Sequence, residues 1–161
     1  EKAQKNDGPP LPVEKDPTQE EVFTDPDVIE QRIGHSVDLI IDVGPLPFSG
    51  SEDAESGGWI RLAPGEAGAD EVVDQHLLAA FTDAWIPAVF SKVVGRLGVP
   101  TVDLTIHFRA PGLVVPADEW VLTRFRTRAA AEGFLEEDGE IWSAGGVLLA
   151  QSRQLAVVLG G

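Results

Sequence analysis

The chain has 161 residues, and 27 acidic residues against 12 basic ones give it a formal net charge of −15. This charge repels nucleic acid and anionic membranes, because both are bound mainly through Lys and Arg, so neither is expected as a partner. The absence of Cys excludes disulfides and thiolate metal sites, and three His residues are too few to favour a metal site, so no metal or cofactor is expected.

The apolar residues are sufficient for one domain with a core, since they make up 43% of the chain. They form no uninterrupted stretch of 18 residues, and no basic-then-apolar leader opens the chain, so neither membrane insertion nor secretion is predicted. A cytoplasmic protein is therefore expected. Because the chain begins with Glu1 and contains no Met, we expect it to be a piece of a longer protein.

The first part of the chain is acidic and rich in Pro, and residues 1–24 are predicted to be a linker. Residues 25–34 favour a short helix, with Asp25 as the N-cap, Pro26 at the first helical position and Gly34 as the stop.

Two strands are predicted next. The first covers Val37 to Val43 and ends at a Gly-Pro pair. Residues 49–58 are small, acidic and rich in Gly, which indicates a loop, and the mainly apolar residues 59–62 predict the second strand.

A long helix is predicted from Asp70 to Phe90, where apolar residues cover most of the circumference, so we expect burial on nearly every side. Within it, Asp83 would be costly as a buried carboxylate unless it is paired or hydrogen-bonded, which makes it a candidate site residue. Alternatively, Asp83 belongs to a polar surface stripe with Asp70 and Asp74. Pro87 cannot donate to the carbonyl of Asp83, so the helix should kink or end there.

The remainder of the chain has the period of strands. Residues 101–109 alternate strictly between polar and apolar types, and three further strands are predicted at about 119–131, 133–143 and 146–159. The predicted fold is α+β, a curved antiparallel sheet of about six strands wrapped around one long central helix.

The polar residues in these strands can be interpreted in two ways, as site residues or as solvent-facing residues. Thr101 begins the strictly alternating strand and Gln154 interrupts the last one, yet spacing alone does not unite them with Asp83, and both could face solvent. Residues 124, 126 and 128 are all Arg, so one strand face would carry three guanidiniums within roughly 14 Å. That stripe is either a solvated sheet face or a binding surface for an anion.

Two motifs resemble the acyl-CoA thioesterase II family, whose members join two hotdog domains in one chain. The central helix of the family's C-terminal hotdog carries a Ser/Thr-Asp pair, which Thr82-Asp83 matches. On the following strand, the family has Thr or Ser, an apolar residue and Asp, leading to Phe and Pro. Here Thr101-Val102-Asp103 leads to Phe108 and Pro111.

A third motif lies in the last strand. The family has a Gln after a Gly-Val-Leu-x-Ala stretch, matched by residues 146–150 and then Gln154. This chain departs from the family at Leu104, where many members have His, and in the Trp-Ile-Pro sequence after Asp83. Both departures indicate a divergent branch, and they concern the acyl group that is accepted.

The resemblance implies that residues 25–161 form a hotdog thioesterase domain, the C-terminal half of a double hotdog. It further implies hydrolysis of acyl-CoA thioesters in fatty acid metabolism, with Asp83 as the polarising carboxylate or general base and Thr101 and Gln154 holding the water. The expected partner is a second hotdog domain, either the N-terminal half or another copy of the chain in a homo-oligomer.

Two other functions stay open. A hotdog hydratase or dehydratase would use a catalytic His paired with an acid, and His107, the only His near a motif, has no suitable neighbour in the sequence. A non-catalytic acyl-CoA-binding hotdog is compatible with the fold, but it has no evident need for all three of Asp83, Thr101 and Gln154.

Overall fold

The computed structural model of the chain describes residues 36–68, 70–95 and 97–159, so the predicted linker 1–24 and the predicted helix 25–34 lie outside the described residues. Within those ranges the elements are, in chain order, β1 (Val37–Val43), β2 (Glu55–Leu62), α1 (Gln75–Ala84), a 3-10 helix (Ala88–Ser91), β3 (Thr101–Phe108), β4 (Val121–Ala131), β5 (Phe134–Ser143) and β6 (Leu148–Val157). Neither described helix is long and apolar enough to cross a membrane.

The six strands form one antiparallel sheet in the order β1-β2-β4-β5-β6-β3, and α1 packs against one of its faces. We call the face toward α1 the inner face and the opposite one the outer face. The inner face and the helix share the main core, whose largest fully buried side chains include Phe81, Phe125, Ile60 and Ile141. This arrangement confirms the predicted α+β fold.

The helix begins later than predicted because Asp74 caps it. The Asp74 side chain accepts a hydrogen bond from the Leu77 amide at 2.8 Å, and this bond is the main cause that lowers the pKa of Asp74. Just before the cap, Val72 forms a β-bridge with Pro116, so this segment is extended rather than helical.

The helix ends at Ala84, as Pro87 predicts, and Trp85 at the C-cap is extended. Residues directly before a proline are pushed out of the helical region, so the chain runs extended to Pro87 and then makes the 3-10 turn. The expected burial on nearly every side was wrong, because His76, Ala80 and Asp83 form an exposed stripe at helical spacing.

Strand β2 starts at Glu55, so the predicted loop over 49–58 was wrong for its last four residues. Gly57 and Gly58 pair with β1 on one side and β4 on the other. A Cβ atom on Gly58 would clash with the carbonyl oxygen of Ile40, and the φ of +147° also favours glycine. These glycines therefore permit close strand pairing here, although glycine clusters in sequences usually indicate loops.

Candidate functional site

The structure brings the side chains of Asp83, Thr101 and Gln154 together. The Thr101 hydroxyl donates to Asp83 Oδ1 at 3.2 Å, and Gln154 Nε2 donates to Thr101 Oγ1 at 2.5 Å. These residues come from α1, β3 and β6, and 71 positions separate the first from the last. Spacing alone could not have united them.

A β-bulge turns Thr101 toward the helix. Thr101 pairs with Ala156 and Asp103 with the next residue, Leu155, so Val102 is an extra residue in β3. Strict alternation would put Thr101 on the outer face with Asp103. The extra residue reverses this, and Thr101 lies on the inner face opposite the buried Ala156.

Asp83 lies in the last turn of α1, and two buried hydrogen bonds hold the chain just after it against the sheet. The indole nitrogen of Trp85 donates to Ser56 Oγ of β2 at 2.9 Å. The Ala88 amide donates to Glu137 Oε2 of β5 at 2.6 Å. These bonds fix the end of the helix between two strands, and so they restrict where Asp83 can be.

Glu137 also connects this anchor to Gln154, because the two residues are direct cross-strand partners on β5 and β6. Glu137 is buried, whereas Gln154 is half-buried and faces the trio. Sequence reasoning missed Glu137. The available signal was its place in β5, where Leu135, Glu137, Gly139 and Ile141 share one face and an acid interrupts an inward-facing row.

The hydrogen-bond order leaves one carboxylate oxygen for a further ligand. A threonine hydroxyl has one hydrogen, which goes to Asp83, and the Gln154 amide donates to the threonine oxygen. Within the described part of the chain, Asp83 Oδ2 makes no hydrogen bond. An ionised Asp83 can therefore accept one from a water molecule or a hydroxyl group, and a Gln154 amide can bind a second polar atom.

The histidines do not join this site. His107 lies on the outer face, and His76 pairs only with Asp74 at the exposed start of α1, 3.0 Å away. His35 lies outside the described residues. In the same described ranges, no group of three or more His, Cys, Asp or Glu side chains is placed to hold a metal ion.

Solved structures with the same fold were found in several bacteria. A hot dog fold protein of unknown function from Alicyclobacillus acidocaldarius has a TM-score of 0.77 and 22% identity, covering 100% of this chain and 59% of its own. A candidate thioesterase II from Thermobifida fusca has a TM-score of 0.61 and 28% identity. The match covers 78% of this chain and 47% of the Thermobifida protein. The acyl-CoA thioesterase II TesB2 from Mycobacterium marinum has a TM-score of 0.58 and 22% identity. The match covers 81% of this chain and 52% of TesB2.

The chain thus spans about half to three fifths of the length of these proteins. They confirm the hotdog fold. Among curated protein sequences, none matches this chain significantly. The family model described as the acyl-CoA thioesterase C-terminal domain matches residues 6–158. Nearly the whole chain is included in that match, and the chain therefore belongs to the acyl-CoA thioesterase C-terminal domain family.

Proposed function

We propose that this domain hydrolyses acyl-CoA thioesters to a free acid and CoA, using a water molecule bound by Asp83, Thr101 and Gln154. The observation that carries the proposal is the hydrogen-bonded chain from Gln154 through Thr101 to Asp83. Family membership supports acyl-CoA as the substrate class, since the family model describes an acyl-CoA thioesterase domain.

In the proposed reaction, water donates one hydrogen bond to Asp83 Oδ2 and is oriented by the Gln154 amide. The water oxygen attacks the thioester carbonyl carbon while Asp83 takes the proton as general base. The tetrahedral intermediate then expels the CoA sulfur, and the proton passes from Asp83 to the leaving thiolate. Thr101 keeps Oδ1 of Asp83 occupied, so that Oδ2 is the oxygen directed to water.

The same proposal includes a second hotdog domain, either an N-terminal one or another copy. Asp83 and Thr101 are exposed in the single domain, and exposed catalytic groups gain little from a low dielectric. They lie at the β3 end of the sheet, where, among the described strands, β3 pairs only with β6. Apolar residues near this edge are exposed, including Val102 at 59%. A partner covering the edge would bury them and enclose the trio.

The test is release of free thiol from a short and a long acyl-CoA by the purified chain, with its mass in solution recorded. Asp83→Asn keeps the shape and hydrogen-bond capacity but removes the base, so we expect activity to fall by about 100- to 10,000-fold. Asp118→Asn is the matched control, because it removes the same charge from an exposed loop, and it should keep the starting activity.

Equal activity in Asp83→Asn and the starting protein would refute the role of Asp83. A folded oligomer that binds the thioester without releasing thiol would instead indicate a non-catalytic acyl-CoA-binding domain. If only a mixture with a separately produced N-terminal hotdog is active, the missing partner is that domain rather than a second copy.

A further inference from the structure

The outer face of the sheet carries a depression of about 300 Å³ over β3 to β6. Its basic side chains come from two places, the end of β3 and alternate positions of β4: His107, Arg109, Arg124, Arg126 and Arg128. Four guanidiniums therefore face two lining carboxylates, Asp138 and Glu140, in a chain whose formal net charge is −15. The local charge is opposite to that of the molecule.

Two of these arginines share a single acceptor. Arg124 Nε and Arg126 Nε lie 2.6 and 3.1 Å from the same oxygen, Oε1 of Glu55. One carboxylate cannot neutralise two guanidiniums. Both contacts use Nε, and each guanidinium has five N–H donors, so this single oxygen leaves donors of both side chains available for a ligand.

The other two arginines are still less compensated. Arg109 donates to the neutral amide oxygen of Gln151 at 2.9 Å. Arg128 is 3.7 Å from Asp138, which is already held by Arg153 at 2.8 Å. The side chain of Arg128 is 70% exposed. Guanidinium groups with unused donors remain on opposite sides of the depression.

The spacing of these donors indicates the type of ligand. Alternate residues of a strand are about 7 Å apart, so the three arginines of β4 extend over about 14 Å. A single phosphate would reach only part of this row, whereas two or more phosphoryl groups would use it fully, each by bidentate hydrogen bonds. The volume suits a small molecule. Glu140 and Gln151 supply acceptors for hydroxyl groups on the opposite side.

We propose that this outer-face depression binds a small molecule with two or more phosphoryl groups and sugar hydroxyls, that is, a nucleotide. The ligand would lie across the sheet from the trio, because Gln154 faces inward while Gln151 faces outward on the same strand. Its phosphoryl groups could come from a free nucleotide or from the nucleotide portion of a CoA molecule. Both sources have the same chemistry, and experiment separates them.

The test is isothermal titration calorimetry of the purified chain with ATP, with CoA and with inorganic phosphate, at low and at high salt. We expect saturable ATP binding that weakens with salt, because its charged contacts are screened, and much weaker binding of inorganic phosphate. The double variant Arg109→Gln/Arg128→Gln should weaken ATP binding by at least about tenfold. These two side chains are exposed, so the fold should persist, which a melting temperature verifies.

Lys92→Gln is the control, because it removes one positive charge from an exposed position away from the depression. Absence of ATP binding at low salt, or equal affinity in the double variant and the Lys92→Gln control, overturns the proposal. If the double variant loses ATP binding but keeps CoA binding, the occupant is a free nucleotide. If both decline together, it is the nucleotide portion of CoA. Unchanged ATP binding by Asp83→Asn would show that nucleotide binding on the outer face does not depend on the proposed hydrolysis.

Discussion

The two faces of the sheet use polar residues in different ways, although the same strands supply both. On the inner face they are few, and several of them have fixed tertiary contacts. Glu137 is buried there and accepts a hydrogen bond from the Ala88 amide, while the Gln154 amide donates to Thr101. On the outer face, guanidiniums and carboxylates alternate, and several share partners, as Arg124 and Arg126 share Glu55.

This difference indicates where the chain tolerates change. A buried polar group that loses its partner pays the full cost of desolvation, whereas an exposed ion can exchange partners or turn to water. Inner-face substitutions should therefore affect stability and the geometry of the trio together. Substitutions of the charged outer-face residues should affect mainly charge, and hence the binding of ions. Variants at Gly139, Glu140, Glu137 and Glu55 test this contrast.

The largest expected effect is at Gly139, compared with its neighbour Glu140 on the other face. A Cβ atom on Gly139 would overlap the ring of the buried Phe125 and the hydroxyl of Ser152. We expect Gly139→Ala to lower the free energy of unfolding by about 3 kcal/mol, because the packed ring cannot move aside. Glu140→Ala should change it by less than about 0.5 kcal/mol. Equal unfolding midpoints in a denaturant titration would contradict the contrast between the faces.

A smaller effect is expected at Glu137. Glu137→Ala leaves the Ala88 amide buried without this acceptor, which should destabilise the domain by about 2 kcal/mol. Glu137→Gln keeps an oxygen acceptor and should recover part of the loss. Denaturant unfolding of both variants measures the difference. If alanine and glutamine are equivalent, the hydrogen bond to Ala88 does not contribute, and the anchoring of the helix end must be explained otherwise.

The smallest effect is expected at Glu55, on the outer face. Glu55→Gln removes the shared carboxylate charge from Arg124 and Arg126, and part-exposed ion pairs contribute about 1 kcal/mol or less. The loss should shrink further in high salt, because screening weakens the pair in the starting protein as well. Melting temperatures at two salt concentrations provide the measurement. A large loss that is insensitive to salt would place Glu55 with the inner-face residues.

The strand pattern was predictable because period-two alternation directly reflects burial on one face. The predicted strands 37–43 and 101–109 correspond closely to β1 and β3. Alternation also put the β4 arginines on one face, where they line the depression. In contrast, the glycines that start β2 looked like a loop, because a sequence does not show which backbone lies against them.

The candidate site was harder to predict from local sequence patterns than the strands were. Alternation places Thr101 outward, and only the bulge at Val102, a property of the pairing with β6, turns it inward. The helix pattern left Asp83 either buried or on a polar surface stripe, and it lies on the exposed stripe of α1. Family motifs named the three residues in order, and the fold accounts for their proximity. Their catalytic roles remain a prediction.

The position of β3 in the sheet also has a dynamic consequence. As the terminal strand of the sheet order, it pairs only with β6 in the part of the chain that the structure describes, so it can detach without breaking any other strand pair there. Edge segments with few buried contacts open at a lower free energy than the rest of a domain, and most of β3 is exposed. Thr101 would leave with the strand, while Asp83 and Gln154 stayed on packed elements. We therefore expect a local opening of β3 to separate the members of the hydrogen-bonded trio while the core remains folded.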